Sequence, residues 1–297
     1  MPQRYSCLLW TASGLSPTSL HGGILKPMLR RETKDEPPFP YLSEDMDFAF
    51  PDPGTADKYG VVCSGGNLSP GLLLSAYRRG IFPWFSDDEP ILWWSPDPRF
   101  VLFTEELHVS ETMRKVMRRF ARSATPLELC LDRDFRAVIT ACSASPRPGQ
   151  EGTWITEDMI EAYCELNRLG YAHSIEARIS GELVGGLYGV ALGGMFFGES
   201  MFSRVPDASK AAFIPLVWHL REEGFTLIDS QVYTDHLAGL GAREIPRIEY
   251  LGLLADRLVN DKAVGAALPT RKGDWSKRFP DFPLSSEYRR VVLKETD

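Results

Sequence analysis

The sequence has 297 residues, 43% hydrophobic and 25% charged, which allows a substantial core, points to two domains and matches an ordinary soluble globular protein. Its formal net charge of −7 argues against indiscriminate nucleic-acid binding, but a local basic patch stays open because surface fields are set within a Debye length of about 8–10 Å. No apolar run approaches the roughly 20 residues of a membrane span, and Cys7 to Trp10 behind Arg4 is too short for a secretory signal.

Residues 1–40 carry prolines, glycines and mixed charge without sustained periodicity, and read as a flexible extension, with Met28 and Met46 as alternative starts. A small N-terminal domain is expected over 41–97 and a larger one over 98–297. Within the first, Ser69 as N-cap, Pro70 in the first turn, Arg78 and Arg79 in the last turn and Gly80 beyond it predict a helix from Pro70 to Arg79. Phe82, Trp84, Phe85, Trp93 and Trp94 then crowd among prolines, which hold the backbone extended. Most are core candidates; Trp84, between Pro83 and Phe85, suits either a core or a flat face on which a base stacks.

The stretch Ser110 to Arg122 is helical and two-faced. At about 100° per residue, Arg114, Lys115, Arg118, Arg119 and Arg122 fall within roughly 140°, and Met113, Val116, Met117 and Phe120 between roughly 200° and 300°. The cationic stripe, broken only at its start by Glu111, is either a solvated face or a phosphate-backbone contact. A helix over 157–169 follows, with Thr156 as cap, Gly170 as stop and Trp154 in the loop ahead. His173 to Val205 reads as three strands joined at Ser180-Gly181 and Gly193-Gly194, an antiparallel meander. Inside it, Glu199 lies among Phe196, Phe197, Met201 and Phe202. A carboxylate there needs a partner or its pKa rises, and Gly198 is a candidate bulge that re-aims it. Asp207 to Glu223 is a helix capped by Asp207, with Pro215 expected to kink it or mark a late start.

The strand-like stretch Gly224 to Val232, GFTLIDSQV, places Asp229 and Gln231 on one face, with Cα atoms about 6.6 Å apart at roughly 3.3 Å per residue. At that spacing the carboxylate bonds the glutamine NH₂ and fixes which end of the amide faces a substrate. A polar pair on the wet face of an edge strand is the competing reading. A short helix around Asp235 to Leu240, a turn, and a helix from Ile248 to about Val259 complete the chain. Five cysteines without a CxxC pair suit reduced thiols in the cytosol, and five histidines without HxxxH or HExxH spacing argue against a metal site.

The segments LSPGLLLSAYRRGIFPWFSDDEPILWWSPDPR, EGTWIT, GGLYGV, FFGESMFSRVPDASK, LIDSQV and HLAGLGAREIPR resemble the leucyl/phenylalanyl-tRNA–protein transferase family, from about Phe48 to Leu253. The resemblance implies an α+β chain, a small N-terminal α/β domain followed by a GNAT-like acyltransferase domain. The implied activity moves Leu or Phe (Met less often) from aminoacyl-tRNA to the α-amine of proteins beginning with Arg or Lys, creating an N-degron. It implies a cytoplasmic enzyme with no cofactor, no metal and no membrane. Asp229 would orient Gln231, the Gln231 carbonyl oxygen would position the attacking amine, and Glu199 would hold the donor's α-amino group. Leu187, Phe196, Met201 and Ile228 would line the donor side-chain pocket, Trp84 and Trp154 would receive the terminal adenosine, and Arg114, Lys115, Arg118 and Arg119 would meet the tRNA backbone. Asn67, Glu111, Pro215 and Ser230 depart from the family pattern. Rival readings are a GNAT acyltransferase using acetyl-CoA, whose R/Q-x-x-G-x-G/A run is missed at Arg221 to Thr226, and a non-catalytic tRNA- or peptide-binding module.

Overall fold

Short apolar runs punctuated by proline and glycine build the first of two units, residues 1–97; the second spans 98–297. The computed structural model describes residues 10–11, 39–87, 89–145, 153–263 and 288–294, so most of the expected extension over 1–40 lies outside the described residues. In the first unit, strands β1 (Trp10–Thr11), β2 (Val61–Ser64), β3 (Phe82–Pro83) and β4 (Leu92–Trp94) form a sheet in the order β1-β2-β4-β3. Helix α1, Pro70–Tyr77, is buried on every side, which its unbroken apolar run dictates. It stops two residues before the expected end, and Gly80 follows at φ 70°.

Ser69 holds the N-cap position but its hydroxyl makes no capping bond. Asn67 organises that corner instead: its Oδ1 accepts from Ser69 N at 3.0 Å, and its Nδ2 donates to the carbonyls of Phe39 (3.1 Å) and Pro40 (3.2 Å). An aspartate at this position would have no such donor, so Asn67 has a local reason.

The second unit is built on a seven-stranded sheet in the order β11-β5-β10-β9-β8-β7-β6. The strands are β5 (Arg99–Phe103), β6 (Leu127–Leu131), β7 (Ala172–Ile179), β8 (Glu182–Leu192), β9 (Met195–Ser203), β10 (Leu227–Asp229) and β11 (Arg243–Ile245). The glycine turns predicted for the meander hold, with Ser180 at φ 52°, Gly181 at 83° and Gly193 at 54°. The parallel pair β9/β10 requires a crossover, and α5 (Ala208–Glu222) supplies it. Pro215 lies inside α5, which therefore runs through the proline rather than starting at it; Ile214, Pro215 and Leu216 are all buried, so packing overrides the local preference. Asp207 precedes it at φ 66° and makes no side-chain cap. Ser110 and Thr156 do cap, accepting from Met113 N at 3.2 Å and Met159 N at 3.3 Å.

Helix α2 (Glu111–Arg122) buries Met113 and Met117 and turns its cations outward, as its periodicity requires. With α5 it covers one sheet face, where Phe100, Leu102, Leu187, Phe196 and Ile228 form a continuous apolar cluster. Helices α3 (Phe135–Ser143) and α4 (Glu157–Arg168) contact the sheet through β7, β8 and β9. The short α6 (Asp235–Ala238) and the longer α7 (Arg247–Ala263) complete the unit.

β8 and β9 lose register within this sheet: Tyr188 faces Ser200 while Gly189 faces Gly198. Glu199 is the extra residue, so a bulge lies where Gly198 suggested it. Gly189 permits the arrangement, since an added Cβ would strike the Phe197 carbonyl oxygen and come within 2.6 Å of Phe196 Cζ. Gly189→Ala is expected to destabilise the chain by about 1–3 kcal/mol through overpacking. Urea unfolding measures this; an unchanged midpoint would mean that the neighbours yield freely.

Candidate active site

Residues of β10 and the turn after it set up the site. Strand β10 is far shorter than the expected Gly224–Val232 and ends at Asp229. Beyond it, Phe100 faces two residues at once, accepting from Ser230 N at 3.0 Å and donating to Gln231 O at 3.2 Å. That is again two residues against one, a bulge at the end of the strand. Gln231 takes φ 59°, a region in which a non-glycine residue is held only by its surroundings.

The holding group is Asp229, but not in the predicted way. Its Oδ1 accepts from the backbone N of Gln231 at 3.0 Å, rather than from the side-chain amide. The bulge replaces the straight i, i+2 geometry that the sequence suggested. The amide is oriented by Glu199, whose Oε1 accepts from Gln231 Nε2 at 3.2 Å. Since Asp229 pairs in register with Phe197 across the parallel strands, the residues two further on become neighbours. Tyr163, buried on α4, donates to Glu199 Oε2 at 3.2 Å and leans edge-on against Tyr188. Both Glu199 oxygens are thus engaged, which gives this half-buried carboxylate the partners its apolar neighbours demand. With its NH₂ turned to Glu199, Gln231 is left with its carbonyl oxygen as the end available to another group.

Asp229 itself is fully buried and saturated. Arg99 Nε donates to Oδ1 at 2.8 Å and Arg99 NH2 to Oδ2 at 2.7 Å; Tyr250 OH adds a bond to Oδ2 at 2.7 Å. Together with Gln231 N these fill the roughly four acceptor sites of a carboxylate. The Arg99 guanidinium also stacks 4.6 Å from the Tyr250 ring centroid. Burial works to lower the Arg99 pKa, but the charge of Asp229, the phenol oxygen of Tyr250 and the hydrogen bonds to both outweigh it and raise it. Burial, with the Asp229 carboxylate beside it, lifts the Tyr250 phenol well above its ordinary value despite the opposing charge of Arg99.

The other predicted residues fall on several parts of the chain. Phe196 pairs in register with Ile228, and Leu187 with Met201. Leu187, Phe196 and Ile228 are buried in the cluster under α2 and α5, and Met201 packs against it half-buried. Ile228 alternates with Asp229 along β10, so this wall lies on the sheet face opposite the Asp229 carboxylate. Trp154 is half-buried just ahead of α4. Trp84 belongs to the first unit, where its carbonyl accepts from Trp94 Nε1 at 2.6 Å and its ring lies 5.3 Å from that of Trp94. Lys115 and Arg119 are exposed on α2; Arg114 and Arg118 are half-buried, with Arg118 paired to Glu111 at 2.8 Å. Among the described residues no cluster of His, Cys, Asp or Glu is arranged to hold a metal, and no helix is long and apolar enough to cross a membrane.

The family profile "Leucyl/phenylalanyl-tRNA protein transferase" matches residues 101–255, and that of its N-terminal domain matches 66–97. A relative in Myxococcus xanthus (strain DK1622), a leucyl/phenylalanyl-tRNA–protein transferase by name, is 52% identical over 240 residues, covering 81% of this chain and 97% of its own. The chain belongs to this transferase family. A second member, from Pseudomonas putida (strain W619), is 53% identical over 231 residues, covering 78% of this chain and 96% of its own. Among solved structures, a GCN5-related N-acetyltransferase from Kribbella flavida aligns with 59% of this chain and 61% of its own at a TM-score of 0.29 and 14% identity, too low to carry an argument.

Arg99, Tyr250 and Tyr163 carry no role in the sequence reading. A signal existed for Arg99 alone: a cation directly after Pro98, opening the apolar run Phe100 to Phe103, must bury itself and so needs an acid. Replacing it by methionine strands the Asp229 charge and should cost about 3–5 kcal/mol, with part recovered in the Arg99→Met/Asp229→Asn double variant. Denaturant unfolding reads this, and a loss below about 1 kcal/mol would show that Asp229 does not depend on the pair. Because the folded Tyr250 pKa is raised, its share of stability is complete below the unfolded value near 10 and is lost as pH rises towards the folded one. An ultraviolet titration should find Tyr250 protonated until the chain unfolds.

Proposed function

We propose that this chain transfers leucine or phenylalanine, and methionine less readily, from aminoacyl-tRNA to the α-amine of cytoplasmic proteins that begin with Arg or Lys, creating an N-degron. The observation that carries this reading is the Glu199–Gln231 hydrogen bond, which leaves a neutral acceptor oxygen fixed at a bulge between two strands. The attacking group is an amine with pKa about 7.7–8.0, so roughly a tenth to a sixth is neutral at pH 7. It needs positioning more than deprotonation. Gln231 Oε1 accepts an N–H bond from that amine without trapping it as ammonium, while its nitrogen lone pair attacks the ester carbonyl carbon. The new C–N bond forms, the C–O bond to the terminal ribose breaks, and the amine proton leaves with the ribose oxygen or to water. Orientation of this kind removes several kcal/mol of barrier by itself, and the hydrogen bond adds a modest acid–base share.

Glu199 has acceptor capacity beyond its bonds to Gln231 and Tyr163, which suits it to the donor's α-ammonium. Asp229 and Arg99 act through Gln231, as positioning residues, because the carboxylate is saturated. Leu187, Phe196, Ile228 and Met201 offer an apolar wall for the donor side chain. Three of them are buried, so admission of that side chain requires neighbouring groups to shift, and Met201, unbranched and half-buried, is the member best suited to move. Such a wall selects by size and tolerates Leu, Phe and Met together, since one methylene is worth about 1–3 kcal/mol. Within the second unit, Trp154 is offered for the terminal adenosine, and Arg114, Lys115, Arg118 and Arg119 for the RNA backbone.

Incubation of the chain with labelled Leu-tRNA should label a peptide starting with Arg and not one starting with Ala. Gln231→Ala should lower kcat about 10²-fold while aminoacyl-tRNA affinity moves less than twofold. An inert wild type overturns the function; equal losses in rate and affinity overturn the role of Gln231.

A further inference from the structure

The C-terminal turn Arg289–Leu293 is a single π-helical turn packed against α2. Val292 is buried in the same apolar cluster as Met113 and Met117, and Tyr288 and Val291 pack upon that cluster. These contacts anchor the turn beside the cationic stripe of α2. Between turn and helix lies a groove of about 440 Å³ lined by Glu111, Arg114, Arg118, Arg290, Val291 and Lys294. Four of those six side chains are cations and one is an acid, in a chain whose net charge is −7.

Cations gathered in one concavity raise the local potential, and an anion relieves it. Within α2, Arg114 Nε donates to Val109 O at 3.2 Å and Arg118 Nε to Arg114 O at 3.3 Å, so both side chains are tied along the helix. Arg118 also donates to Glu111 at 2.8 Å, but that acid is 63% exposed and its pull is screened. Arg290 on the turn and Lys294, directly after it, supply the facing charges. A guanidinium matches phosphate oxygens as a fork, and an ammonium serves as a movable point charge.

We propose that this groove is a phosphodiester-binding site, in which Arg290 and Lys294 extend the α2 stripe and grip the backbone of the donor RNA. Its occupant rests on the transfer reading above. Both residues lie beyond the stretch matched by the family profile, which ends at residue 255, so the family pattern does not supply them.

The test is binding of deacylated tRNA, read by fluorescence anisotropy between 50 and 200 mM salt. Each phosphate contact contributes about 0.7–0.9 to the salt slope. Losing two of them in Arg290→Ala/Lys294→Ala should make wild-type affinity fall about tenfold more than the variant's across that range. Glu111→Gln should tighten binding several-fold, a gain that misfolding cannot imitate. The charge-matched pair Lys58→Ala/Arg133→Ala should keep the wild-type slope. Equal slopes for wild type and the Arg290/Lys294 variant, equal weakening by the charge-matched pair, or displacement of tRNA by a polyglutamate peptide at equal charge would each overturn the proposal. Deacylated tRNA has no amino acid to give, so absent transfer with this salt pattern intact would sink the transfer reading and still support the groove.

Discussion

A carboxylate with no contact to water has to be neutralised where it lies, and Asp229 is neutralised from three directions. Arg99 reaches it from the neighbouring strand β5, Tyr250 from α7, and the backbone N of Gln231 from its own turn. Desolvating such an ion pair costs several kcal/mol per charge unless every remaining acceptor is filled. Here every one is. That requirement fixes the path of the chain after β10, because the last bond comes from a residue whose φ is positive. The strained turn and the buried ion pair are therefore one device: the pair holds the turn, and the turn completes the pair.

A second distortion meets the first. The bulge in β9 makes Glu199 the extra residue of its strand and the parallel register brings it beside Gln231. Together they set a carboxylate, an amide and a phenol in series at two interior strands, from Tyr163 through Glu199 to Gln231. The chain of bonds ends in a carbonyl oxygen that is weakly basic and held in place, which suits an amine nucleophile better than a strong base would.

The sequence reveals the periodic parts of this structure and hides the aperiodic ones. The 3.6-residue rhythm of α2, the cap at Thr156 and the glycine turns of the meander follow local rules and appear where those rules put them. The amphipathic reading of Arg114 to Arg122 holds because a surface helix is decided by its own side chains. The site fails that test at one point. Straight-strand geometry puts Asp229 against the Gln231 amide, but a long-range partner, Arg99, drew the carboxylate into the interior and left the amide to Glu199. No spacing rule reports a contact across 130 positions of sequence. The silent caps at Ser69, where Asn67 takes over, and at Asp207, whose φ is positive, are smaller cases in which the surroundings displaced a local preference.

The account stands on Glu199 and Gln231 acting as one unit. A double-mutant cycle on single-turnover transfer at saturating aminoacyl-tRNA addresses this most directly, using Glu199→Gln, Gln231→Ala and their combination. If Glu199 works in part by aiming the amide, the double variant falls by less than the sum of the two single losses, a coupling of about 1–3 kcal/mol. Losses that simply add would show the two residues acting separately, and the oriented-amide account would be wrong.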